Sequence, residues 1–149
     1  MRRFDLPPLW LLAFGVVAWG VARWDPLGLT FGGAWADLVA GLLIGGGLLL
    51  ILVAVAQMRQ ARTAVLPHRE ATTLVTNGVF GRSRNPIYLG MGLILLGWTF
   101  RLDQPLALPL LPIFIWVIER RFIAPEEAAL ARRFPAAWSR YAQATRRWV

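Results

Sequence analysis

The chain has 149 residues, 57% of them hydrophobic and only 16% charged, with a mean hydropathy of +0.53; a soluble domain normally carries about 25% charged residues. Its net charge of +8 comes from sixteen Arg and no Lys, and these Arg flank long apolar runs rather than form one basic face, so no nucleic-acid partner is expected. With no Cys and a single His, disulfides, thiol chemistry and multi-His metal sites are excluded.

The first apolar run extends from Pro7 to Ala22. Arg2 and Arg3 precede it as in a signal sequence, but no A-x-A-like cleavage site follows, so it reads as a retained first span. A short loop, Arg23 to Trp35, leads to a second run from Ala36 to Ala56, long enough to cross alone at about 1.5 Å per residue. Gly41 and Gly45 stand at i, i+4 spacing, with Gly46 and Gly47 after them, and small residues at that spacing let helix backbones approach closely.

A polar stretch, Gln57 to Arg84, follows and contains the turn pair Asn77-Gly78. It is too long for a simple connector, and loops of that size usually carry function. The third run, Ile87 to Phe100, and the fourth, Leu106 to Ile118, are short for independent spans and read as a tight helical hairpin around the turn Arg101 to Pro105. From Pro125 onward, Leu130, Phe134, Trp138, Tyr141 and Thr145 recur at helical spacing, with Arg132, Arg133, Arg140, Arg146 and Arg147 largely on other faces. This is an interfacial helix on the headgroups or a lid over a cytoplasmic pocket, and Pro135 must kink it or start a second helix.

The expected architecture is therefore all-α: one membrane domain spanning residues 1–149, with about four transmembrane helices and a C-terminal amphipathic helix. Fourteen of the sixteen Arg lie at the N-terminus, in Gln57–Arg84 and in the tail, against Arg23 and Arg101 in the opposite loops. The positive-inside bias then puts both termini and the polar segment in the cytoplasm.

Two clusters on that face are candidates for chemistry. One runs from Leu74 through Phe80, Arg82, Arg84, Asn85 and Pro86 to Tyr88; the other holds Glu119, Arg120, Arg121, Glu126 and Glu127. Singly, each has a plain structural role. Asn85-Pro86 is an ordinary helix start, the paired Glu suit a first helical turn, Tyr88 suits an interfacial anchor, and Glu119 can pair with Arg120 or with the polar segment.

Together, the string LVTNGVFGRSRNPIYLGMGLILLGW and the later Glu-Glu pair with LARRFPAAWSRYAQATRRWV resemble the isoprenylcysteine carboxyl methyltransferase and phospholipid methyltransferase superfamily. The resemblance covers residues 65 to 149. It implies a helical membrane bundle in which Thr72, Thr73, Leu74, Val75, Phe80, Asn85, Pro86, Ile87, Tyr88 and Glu126 hold S-adenosylmethionine at the cytoplasmic surface. The physics is compatible: a helix N-terminus offers N–H groups to a carboxylate, Glu126 can accept from hydroxyls or an ammonium, and aromatic rings suit a sulfonium.

Some positions depart from the pattern. Phe80 stands for the usual Tyr, Asn85 for the His of the prenylcysteine enzymes, Pro135 for a Gly, and Phe122 where those enzymes place an Arg that holds the substrate carboxylate. The Asn-Pro form resembles the small bacterial members, implying a bacterial inner membrane. Arg84 and Arg121 are the candidate cationic clamps for a carboxylate acceptor; Glu127 or His68 is the candidate base for an amine or hydroxyl acceptor. The expected substrate is a membrane lipid or lipophilic small molecule entering from the bilayer. Two alternatives stand beside this reading: an NADPH-dependent membrane reductase of related fold, and a non-catalytic membrane protein. The acceptor atom and the oligomeric state are left open by the sequence.

Overall fold

The computed structural model describes residues 6–25, 27–64 and 71–149, and among them helices and short turns account for all regular structure, with no strand. The chain forms α1 (Pro7–Trp24), α2 (Ala34–Gln60), α3 (Pro86–Arg101), α4 (Leu110–Ile118), α5 (Ala124–Arg133) and α6 (Pro135–Ala144). Pro opens α1, α3 and α6, where its missing N–H costs nothing and its fixed φ suits the first turn.

Among the described residues α2 is the one helix long and apolar enough to cross a membrane by itself. Its 27 residues correspond to about 40 Å. The 16 residues of α3 and 9 of α4 are shorter, as the sequence implied. Large apolar side chains remain uncovered along α1 and α2, among them Leu12, Val16, Leu38, Leu42, Leu49 and Leu52, with Leu52 67% exposed. An apolar surface of that extent calls for lipid or a partner.

The closest packing joins α2 to α3. A Cβ on Gly47 would lie 2.6 Å from the Gly90 carbonyl oxygen, and one on Gly90 would lie 2.7 Å from that of Gly47. Gly97 approaches the Ala40 carbonyl in the same way. The close approach that the sequence assigned to Gly41 and Gly45 is thus made by Gly47; Cβ atoms at Gly41, Gly45 and Gly46 would meet nothing within 4 Å. Periodicity marks small residues but cannot say which side of a helix meets a neighbour.

A core of Tyr88, Met91, Leu95, Phe114, Ile118, Phe122 and Ile123 forms between α3 and α4, and Trp10, Leu11, Phe14 and Trp148 pack against it. At the far end, Asp103 Oδ1 accepts from the backbone N–H of Phe31 at 2.7 Å, and Gln104 Nε2 donates to Asp25 Oδ1 at 3.1 Å. These bonds fasten the α1–α2 loop to the α3–α4 turn. The fourth run does not stop at Ile118. It passes through a π turn, Glu119–Ile123, straight into α5. Pro125 cannot donate to a ladder carbonyl and would clash with the residue one turn back, and the wider π turn just before it relieves that conflict. The helix breaks at Phe134 (φ −127°, ψ 54°), so Pro135 starts a second helix.

Candidate functional site

The polar residues of the two sequence clusters meet where α3 begins and α5 passes. Gly78 turns the chain into this region with φ +59°, and a Cβ there would lie 2.0 Å from the Gln57 amide nitrogen. Gln57 Oε1 accepts from the Val79 N–H at 3.2 Å, which ties the turn to the end of α2. Phe80 is buried, and its carbonyl accepts from the Tyr141 hydroxyl at 2.6 Å. Burial pushes the Tyr141 phenol up to about 12, with Arg84 pulling the other way.

Arg84 donates through Nε to Glu127 Oε1 at 3.1 Å and through Nη1 to the Ala142 carbonyl at 3.1 Å. Its guanidinium lies 5.5 Å from the centre of the Trp138 ring. Asn85 stands at the N-cap position of α3, yet its side chain does not cap the helix. Its amide donates instead to Glu127 Oε1 at 3.4 Å and to the Arg147 carbonyl at 3.2 Å. Glu127 Oε2 accepts from Arg147 Nε at 3.1 Å and Nη2 at 2.6 Å. Both oxygens of the buried Glu127 are thus held by guanidinium and amide donors, and Arg147 also pairs with Glu119. Hydrogen bonding to Glu127 strengthens the hold of Arg147 on its proton, above the ordinary Arg value.

Glu126 has different surroundings. The Tyr88 hydroxyl donates to its Oε1 at 2.8 Å, and the Tyr88 ring stacks on Phe122 with centroids 6.4 Å apart. Burial raises the Glu126 carboxyl to about 7, partly offset by the Tyr88 hydrogen bond. The two adjacent carboxylates therefore differ in their surroundings: Glu127 is ion-paired, whereas Glu126 is partly desolvated and bonded to a phenol.

Of the residues singled out in the sequence, Arg84, Asn85, Glu127, Tyr88 and Glu126 converge here, with Phe80, Pro86 and Ile87 adjoining. Thr72 and Thr73 lie beside the end of α2, where Thr72 Oγ1 donates to the Arg62 carbonyl and the Thr73 N–H donates to Thr63 Oγ1. Leu74 and Val75 continue that segment, half-buried. Arg121 is placed on the α1 side, its guanidinium 5.2 Å from the centre of the Trp10 ring. His68 lies outside the described residues.

Sequence reasoning missed Arg147, and it offered Glu119 the wrong partners. The pairing brings together residues 28 positions apart, far beyond helical periodicity. One signal was available: the chain has eight acidic residues, and three of them, Glu119, Glu126 and Glu127, precede the paired Arg146-Arg147.

A family model described as phospholipid methyltransferase matches residues 35–137, more than half of the chain. The chain belongs to this phospholipid methyltransferase family. An uncharacterized protein of Haemophilus influenzae is 44% identical over 63 residues, covering 42% of this chain and 100% of that relative. No solved structure matches the chain. The family defines the class, a methyltransferase acting on lipid-type substrates and associated with membranes.

Proposed function

We propose that this protein transfers a methyl group from S-adenosylmethionine to a lipid or lipophilic small-molecule acceptor at the cytoplasmic face of a bacterial inner membrane. The observation that carries this reading is the Glu126–Tyr88 pair, a half-buried carboxyl bonded, among the described residues, to a phenol rather than to a cation, at the start of α3. The Arg distribution and the uncovered apolar faces of α1 and α2 support the four membrane crossings and cytoplasmic termini of this reading.

The residues present suit the cofactor. Ionised Glu126 would accept from its ammonium or ribose hydroxyls. The first N–H to pair back within α3 is that of Leu89, onto the Asn85 carbonyl at 2.9 Å, so the Ile87 and Tyr88 N–H groups stand at the helix end that favours a carboxylate. The Tyr88 and Phe122 rings stack within the core and fix the hydroxyl that holds Glu126. The cofactor supplies an electrophilic methyl group, whose transfer to an acceptor lone pair leaves a neutral thioether. What the protein must add is alignment, and the rigid Arg84–Glu127–Arg147 network beside Glu126 supports that role.

The test is calorimetric titration of detergent-purified protein with S-adenosylmethionine, S-adenosylhomocysteine and NADPH. Binding of the first two, weakened in Glu126→Ala, is the expected result. Binding of NADPH alone would replace this proposal with the reductase reading, and binding of none would leave a non-catalytic role.

A further inference from the structure

Arg147 lies beyond residues 35–137, which match the family, yet its side chain joins two of the site's carboxylates. Its guanidinium bridges Glu127 on α5 and Glu119 in the π turn. Its backbone carbonyl accepts from the Asn85 amide at 3.2 Å and from Ser83 Oγ at 3.3 Å. The neighbouring Arg146 carbonyl accepts from the Arg84 N–H at 3.0 Å. On one side Thr145 Oγ1 reaches the Gly81 carbonyl, and on the other Trp148 packs against the core. The last residues of the chain are therefore a strap laid along the segment 81–85 and fixed at both edges.

This arrangement has a chemical consequence. Without Arg147, Glu119 would be free to attract a cationic ligand in competition with Glu126, and Glu127 would keep only Arg84 and the Asn85 amide on its Oε1. Arg147 pairs with both, Arg84 supplies the second positive charge at Glu127, and the Arg147 backbone carbonyl holds the amide of Asn85 away from the helix end it would otherwise cap.

We propose that Arg147 is a positioning residue for the methyl-transfer site. In this role it fixes Glu127, Glu119 and Asn85 in one rigid wall, so that Glu126 is the single carboxylate left to receive the cofactor. The inference rests on the methyltransferase reading above and deepens it.

The experiment is titration of the full-length protein with S-adenosylhomocysteine, comparing wild type, Arg147→Ala, Arg147→Lys and Glu119→Gln, with methylguanidinium added to each. Arg147→Ala is expected to weaken binding about tenfold or more, in the range seen when a residue orienting a ligand-binding group is removed. Arg147→Lys should recover part of the loss through its charge. Methylguanidinium should restore affinity to the Ala variant and leave the wild type unchanged, a response that a merely structural residue would not give. Wild-type affinity in Arg147→Ala, or a loss that methylguanidinium fails to reverse, overturns the proposal. Should the Ala variant not fold, Glu119→Gln carries the test: it loosens Arg147 without removing it, a severalfold loss is expected, and unchanged affinity overturns the proposal. A wild type that binds neither S-adenosylhomocysteine nor S-adenosylmethionine sinks the methyltransferase reading and this inference together, whereas binding by wild type with unaltered variants sinks this one alone.

Discussion

Replacing Glu126 by Gln should remove a pH dependence that the wild type shows below neutrality. The carboxyl is raised to about 7 by burial, so between pH 5.5 and pH 7 its ionised fraction climbs from about 3% to about half, a change of about fifteenfold. The cofactor's amino group stays protonated over most of that window, as α-amines titrate at about 7.7–8.0, so Glu126 is the changing partner. Affinity for S-adenosylhomocysteine should rise by a comparable factor across the window in wild type and stay flat in Glu126→Gln. Stability without ligand should move the other way. A carboxyl with a folded value of about 7 against 4.5 in the open chain binds its proton more tightly when folded. Its stabilising contribution is complete below the open-chain value and is lost as pH rises through about 7, by at most about 3.5 kcal/mol. Thermal unfolding from pH 5 to pH 7.5 should show that decline in wild type and less of it in the Gln variant. Wild-type affinity that is level from pH 5.5 to 7, or a Gln variant that keeps the slope, would refute the assignment of Glu126 as the ligand-facing carboxylate.

Arg84→Ala should cost both stability and binding, because its side chain anchors Glu127 and the end of α6 as well as facing the site. With Arg147 still paired to Glu127, the loss should be about 2 kcal/mol, below the cost of stranding a buried charge outright, and thermal unfolding measures it. Gly90→Leu should abolish proper assembly of α2 on α3, since even a Cβ would sit 2.7 Å from the Gly47 carbonyl; the same change at Gly45, which meets nothing, should leave yield and monodispersity unchanged. The absence of Cys makes topology directly readable. Single Cys placed at Trp24 and at Gln143 should react with impermeant reagents from opposite sides of the membrane, and labelling of both from one side would remove the proposed orientation.

The sequence by itself settled the all-α class of structure, and the resemblance nominated residues that the fold brings close together. Apolar run lengths gave helix positions to within a few residues, because burial in lipid and backbone satisfaction both demand continuous helix there. Local chemistry was equally legible: Pro86 and Pro135 open helices as their fixed φ requires, and Asn77-Gly78 makes a turn that only Gly's positive φ permits beside Gln57. Arg84, Asn85, Tyr88 and the Glu126–Glu127 pair were nominated by the family resemblance, and the fold brings them together.

What the sequence could not give is which neighbour each polar group takes. Adjacent residues on a helix point about 100° apart, so Glu126 and Glu127, neighbours in sequence, face different partners in space. The division of labour between them depends on Tyr88 arriving from α3 and Arg147 from the chain's end. Likewise Gly47, rather than Gly41 or Gly45, makes the close approach because α3 lies on that side of α2. Periodicity is a property of one helix, whereas desolvation and ion pairing are properties of what packs against it, and only the tertiary structure supplies those neighbours.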